Sequence, residues 1–136
     1  MERHPTIERA LRALEAKDAE ALRPLMAEDA AFLPPTYWAE WSGPEPICAV
    51  LGHVMQVFRE FRYRRILGAG DDWALEFQCK VGELDAVGVD LLTLNDAGLI
   101  RRFEVVMRPV KTVAALRDEM SARVAADARF ARFKPA

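Results

Sequence analysis

The spacing of apolar side chains changes once along this chain, near residue 62, and that change limits the folds open to it. Ile47, Val50, Leu51, Val54, Val57, Phe58 and Phe61 fall at steps of three and four. That is one continuous stripe along a helix. From residue 63 the step is two: Trp73, Leu75, Phe77, Cys79 and Val81 alternate with Ala74, Glu76, Gln78 and Lys80. Alternation of this kind marks strands with one buried face. Gly68-Ala69-Gly70-Asp71-Asp72, Gly82-Glu83 and Asn95-Asp96-Ala97-Gly98 read as turns between them. The spacing predicts strands over 63–67, 73–81, 86–94 and 99–108, stopped by Pro109.

The first half is mostly helical. Ile7, Ala10, Leu11 and Leu14 predict a helix over 6–16 with Thr6 as its N-cap. Asp18 opens a second short helix with Leu22, Leu25 and Met26, which Pro24 kinks or shortens. Ala30 to Leu33 reads as a brief strand ended by Pro34-Pro35. Gly43-Pro44-Glu45-Pro46 suits the first turn of the helix that follows. Thr112 is expected to cap a last helix holding Val113, Leu116, Met120 and Val124. Helices gathered on one face of an antiparallel sheet make an α+β fold. A single domain is expected over 1–127. The tail, 128–136, mixes Phe130 and Phe133 with Arg129, Arg132 and Lys134, and either docks on a partner subunit or stays mobile.

Composition removes several classes. Apolar residues are 51% of 136, enough for a core. Nineteen basic against twenty-one acidic side chains give a net charge of -2, which argues against nucleic acid or an anionic membrane as partner. No apolar run approaches the roughly 20 residues a bilayer requires. The polar start carries no leader pattern, so a cytoplasmic location is expected. Cys48 and Cys79 have apolar neighbours; a disulfide stays open, but reduced buried thiols are expected. Cys48 and His53 lie five apart and do not share a helix face, so no metal site is expected. Glu40 breaks a G-x-S-x-G elbow at Ser42, and Gly68-Ala69-Gly70 lacks the remainder of a dinucleotide motif. No cofactor is expected.

The segment 86–94 carries the most information. One face is Val87, Val89, Leu91 and Thr93; the other is Ala86, Gly88, Asp90, Leu92 and Leu94. Both are largely apolar, whereas antiparallel sheets usually leave one face wet. A homodimer through the outer face is therefore expected. Asp90 lies on the inner face, with Ala86 and Gly88 expected to leave space beside it. A carboxyl group among apolar neighbours is costly to ionise, which raises its pKa and lets it act as an acid or hydrogen-bond donor. The competing reading is an aspartate held by a packing partner.

Tyr37, Trp38 and Trp41 sit in one loop and are candidates for the mouth of a pocket; the alternative is a loop packed on its own core or a dimer contact. Glu40 is expected in solvent and His53 in the polar sector of its helix. Glu76 is expected on the outer face, unless a bulge turns it inward. Arg59, Arg62, Arg64 and Arg65 read as a solvated helix end, or else as the rim site of an anionic ligand group.

Ala27-Glu28-Asp29-Ala30-Ala31-Phe32, the helix from Gly43 to Phe61, and the run from Gly88 to Ile100 resemble the nuclear transport factor 2-like superfamily. This group holds ketosteroid isomerase, SnoaL-like polyketide cyclases, limonene epoxide hydrolase and scytalone dehydratase. The resemblance covers roughly residues 5–125. It implies a cone: a curved antiparallel sheet wrapped around three to four helices, enclosing an apolar pocket, often dimeric through the sheet. It aligns Asp90 with the protonated aspartic acid of the isomerases' oxyanion hole. Phe103, Val105 and Met107 align with pocket-lining positions. Pro34 stands where the isomerases' general base is expected, Ala10 where their catalytic tyrosine is, and Gly88 where the epoxide hydrolase pattern needs arginine. The expectation is a cofactor-free isomerase, cyclase, dehydratase or hydrolase acting on a small apolar molecule through Asp90. The alternatives are a non-catalytic small-ligand binder and a dimeric interaction module.

Overall fold

The computed structural model describes residues 2–133. Helix α1 spans Pro5–Glu15 and leads through a 3-10 segment, Glu20–Leu25, to strand β1, Met26–Leu33, and the short β2, Trp41–Ser42. Helix α2 covers Pro44–Val57. Strands β3 (Phe58–Ala69), β4 (Asp72–Val81), β5 (Leu84–Leu94) and β6 (Ile100–Arg108) follow. Helix α3, Val110–Ala126, and a 3-10 segment, Ala128–Ala131, close the described chain. The six strands make one sheet in the order β2-β1-β6-β5-β4-β3. It is antiparallel except where β1 pairs with β6. The long excursion through α2 and three hairpin strands returns β6 beside β1 in β1's own direction.

Local chemistry sets the helix ends. Pro5 begins α1 one residue earlier than expected, so His4 becomes the cap: its Nδ1 accepts the Thr6 N–H at 3.1 Å. Thr6 is freed for a different task, and its hydroxyl donates to the Gly98 carbonyl in the β5–β6 turn. Thr112 likewise is no cap. It lies inside α3 and donates to the Asp85 carbonyl at 2.7 Å, tying α3 to β5.

Helix α2 ends at Val57, four residues short of the apolar stripe. Phe58 already pairs with Val81 on β4. Phe61 keeps a helix-like spacing from Phe58 because β3 carries a bulge between them. Arg59 opposes Lys80 and Arg62 opposes Gln78, so Glu60 and Phe61 together face Cys79. Glu60 takes φ 49 there, a backbone state common at bulges. A second bulge follows: Tyr63 opposes Phe77 and Ile66 opposes Leu75, which sets both Arg64 and Arg65 against Glu76. The basic run is thus a strand segment and not a helix end.

The core sits between the sheet's inner face and the helices. Ile7, Leu11 and Leu14 of α1 and Ile47, Val50 and Leu51 of α2 pack with Leu75, Leu92 and Phe103. Burial of each such side chain contributes on the order of 2 kcal/mol as an upper estimate. Cys48 and Cys79 are buried free thiols. The tail also joins this core. Phe130 is 2% exposed and its ring meets those of Trp41 at 5.4 Å and Phe133 at 5.5 Å. The described part of the tail therefore packs on its own chain; 134–136 lie outside the described residues. Among the described residues no helix is long and apolar enough to cross a membrane.

Candidate functional site

A cavity of about 510 Å³ opens between the inner sheet face and the helices. Its wall is almost wholly apolar. Phe32 at the end of β1, Val50, Leu51 and Val54 of α2, Phe58 and Phe61 of β3, and Leu116 and Met120 of α3 all line it. Asp90 reaches it from β5 and is 5% exposed.

Register explains the burial of Asp90. It opposes Leu75 on β4 and Val105 on β6, both on the inner face. One polar group meets it: the Tyr63 hydroxyl donates to Asp90 Oδ2 at 2.7 Å. Burial pushes the Asp90 carboxyl up to about 7, and the Tyr63 hydrogen bond opposes that rise. The Tyr63 hydroxyl is itself pushed well above its ordinary value by burial and by the adjacent carboxylate. A carboxyl in this state passes between acid and base close to neutrality, which suits a general acid, and its protonated form can donate a hydrogen bond.

Glu76 is the contrasting case. It sits one position away in the ladder, opposite Val89, on the outer face. Arg64 Nη2 donates to its Oε1 at 2.7 Å, and Arg65 donates to both of its oxygens. The two guanidinium groups hold its carboxyl down at about 2. Two acids on neighbouring strands thus titrate in opposite directions, because one meets cations and the other meets hydrocarbon.

Of the loop aromatics, Tyr37 and Trp41 line the cavity, and the Trp41 indole N–H donates to the Tyr37 hydroxyl. Trp38 does not line it; this side chain is 97% exposed. Phe103 and Val105 of β6 line the cavity, but Met107 does not. Met107 opposes Gly88, and a Cβ on Gly88 would lie 2.8 Å from Met107 Cγ and 2.3 Å from Phe77 Cζ. The expected space beside Gly88 is therefore filled by Phe77 and Met107, and the cavity stops short of it. The hollow before Asp90 is formed by the gap between sheet and helices instead.

Glu40 is exposed. His53 is not the surface residue that the helix period predicts. The end of α3 and the 3-10 segment fold over that face of α2, and His53 Nε2 lies 2.9 Å from Asp127 Oδ2. Asp127 also binds Arg129, and these partners hold its carboxyl well below the usual range. Tyr63 is the residue that sequence spacing missed; two bulges in β3 hide which of its side chains face inward.

Comparison with known proteins follows the same lines. The model of the SnoaL-like domain matches residues 7–103. An uncharacterised protein with a cystatin-like fold from Silicibacter pomeroyi shares 65% identity, with TM-score 0.94, over 96% of this chain and 92% of that one. A steroid delta-isomerase from Pseudomonas aeruginosa shares 33% identity, with TM-score 0.84, over 88% of this chain and 89% of that one. A protein with a ketosteroid isomerase-like fold from Catenulispora acidiphila has 16% identity and TM-score 0.64 over 82% and 91%, a likeness of fold alone. Among curated proteins none matches this chain. With a family model spanning most of the chain and a relative of one-third identity covering nearly all of it, the chain belongs to the SnoaL-like family.

Proposed function

We propose that the protein is a cofactor-free enzyme of the isomerase type, acting on a small, mostly apolar carbonyl compound. Isomerisation stands first among the reactions the family resemblance raises, since the relative at 33% identity is described as a steroid delta-isomerase. The observation that carries the proposal is Asp90: a carboxyl buried in the wall of an apolar cavity, raised to about 7, and bonded to Tyr63. Tyr63 occupies Oδ2 as donor. The proton on Asp90 is then free to serve a ligand carbonyl, donating a hydrogen bond that stabilises negative charge on its oxygen.

The competing proposal is a binder without turnover. It is favoured by the other acid in the cavity wall, Asp127, which is held by an ion pair with Arg129 and a contact with His53. Pro34 also lines the wall where the resemblance would put a general base. One acid orients or polarises; a proton shuttle ordinarily joins an acid and a base. Thermal-shift binding of a panel of ketones and enones, followed by turnover of each hit by wild type and Asp90→Asn, decides between them. Turnover that disappears in the variant supports the enzyme. Binding that weakens in the variant with no turnover in either form supports the binder. Unchanged binding and turnover contradict both.

The same proposal includes a homodimer through the outer sheet face, a cytoplasmic location, and no nucleic-acid or membrane partner. Support for the dimer comes from Leu67, Leu91 and Val106, which are 54%, 38% and 53% exposed on the strands. The near balance of charge supports the absence of a nucleic-acid or anionic-membrane partner.

A further inference from the structure

Lys17 stands where a chain ordinarily places glycine. It follows α1 with φ 57, in the left-handed region. Its N–H bonds to the Leu14 carbonyl at 3.2 Å and that of Asp18 to the Ala13 carbonyl at 2.9 Å, closing the helix. A side chain at such a position carries backbone strain, which invites a functional account. This side chain lines the cavity, and its ammonium donates to the Phe58 carbonyl at 3.0 Å. An ammonium has three donors, so two are left.

Arg117 of α3 lines the same cavity, and so does Ser121, one turn further along the same helix face. Leu116, next to Arg117, packs in one cluster with Phe58, whose carbonyl holds Lys17. Both cations therefore border the cavity that Phe58 and Leu116 also line. Arg117 bonds through Nε to its neighbour Asp118 at 3.3 Å, which leaves its terminal nitrogens. The acids that line the cavity do not balance this charge: Asp90 is bonded to Tyr63, and Asp127 to Arg129 and His53.

We infer that Lys17 and Arg117 form a carboxylate-binding rim, and that the ligand is an amphipath with an apolar body in the cavity and an anionic end at this rim. The inference rests on the proposed ligand cavity and names the class of molecule it takes. Arg59, Arg62, Arg64 and Arg65, which sequence alone offers for such a role, do not line the cavity.

Parinaric acid and its methyl ester test it by fluorescence titration, since they share an apolar body and differ in charge. Two partly exposed ion pairs should make the acid bind about five- to tenfold tighter than the ester in low salt. Half-molar salt should shrink the ratio. Lys17→Met with Arg117→Leu should bring it near one without weakening the ester. Lys17→Gly should also reduce the ratio while melting no lower than wild type, because glycine adopts this backbone state freely. Equal affinity of acid and ester for wild type overturns the rim and leaves the cavity standing. Variants that weaken acid and ester alike assign Lys17 and Arg117 to the fold and also overturn it. Failure of both probes to bind wild type contradicts the ligand cavity itself, and the rim with it.

Discussion

Tyr63 and Asp90 meet across an intervening strand: the hydroxyl of β3 donates to the carboxyl of β5 at 2.7 Å, reaching past Phe77 on β4. The rings of Tyr63 and Phe77 stand nearly perpendicular, 6.5 Å apart. Because this is the hydrogen bond that Asp90 receives from a side chain, Tyr63→Phe should leave a buried acceptor unpaired. The expected cost is about 1–3 kcal/mol at pH 8, where the carboxyl is ionised, and less at pH 5. Urea unfolding of the variant at the two pH values measures it; an equal loss at both would mean the bond does not favour the ionised form.

Asp90 also makes stability depend on pH. Its folded value, about 7, lies above its ordinary value of 3.8. The unfolded chain therefore gives up the proton first as pH rises. The stability that protonated Asp90 contributes is fully present below 3.8 and is lost as pH climbs through about 7. Relative to Asp90→Asn, wild type should lose on the order of 4 kcal/mol between pH 4 and pH 8. Parallel denaturation curves for the two proteins across that window would contradict the shift.

Gly88 should tolerate no side chain. A Cβ there would lie 2.3 Å from Phe77 Cζ, and Phe77 is wholly buried. Gly88→Ala should destabilise by about 1–3 kcal/mol through overpacking and disturb the Tyr63–Asp90 bond that passes the same ring. Calorimetry would show the lower melting temperature; an unchanged one would mean that Phe77 has room to move.

The outer face supplies a test of assembly. Leu91 of β5 and Val106 of β6 are exposed, and Val106 opposes Val89. Leu91→Glu with Val106→Glu should convert a dimer into a folded monomer by light scattering, since charge without a partner opposes burial at an interface. Wild type that is already monomeric at micromolar concentration would remove the proposed dimer.

How far the sequence reveals this molecule depends on which physical signal each residue leaves. Asp90 is legible because β5 alternates without interruption, so its inward position follows from counting by twos. Tyr63 is not legible, because two bulges in β3 each insert a residue and reset the count. The same bulges explain why Phe61 mimics a helix position and why Arg64 and Arg65 both find Glu76. His53 was hidden for another reason: its own helix turns it outward, and the chain that covers it arrives more than seventy residues later. Trp38 shows the limit of composition, since its two aromatic loop neighbours line the cavity while it faces solvent.

Titration of the Asp90 side-chain carbon by NMR bears most directly on all of this. The account predicts a single ionisation near 7, moving upward when Tyr63 is replaced by phenylalanine. An ordinary midpoint near ~4 would contradict it, because the carboxyl would then be ionised at neutral pH and unable to lend its proton to a ligand.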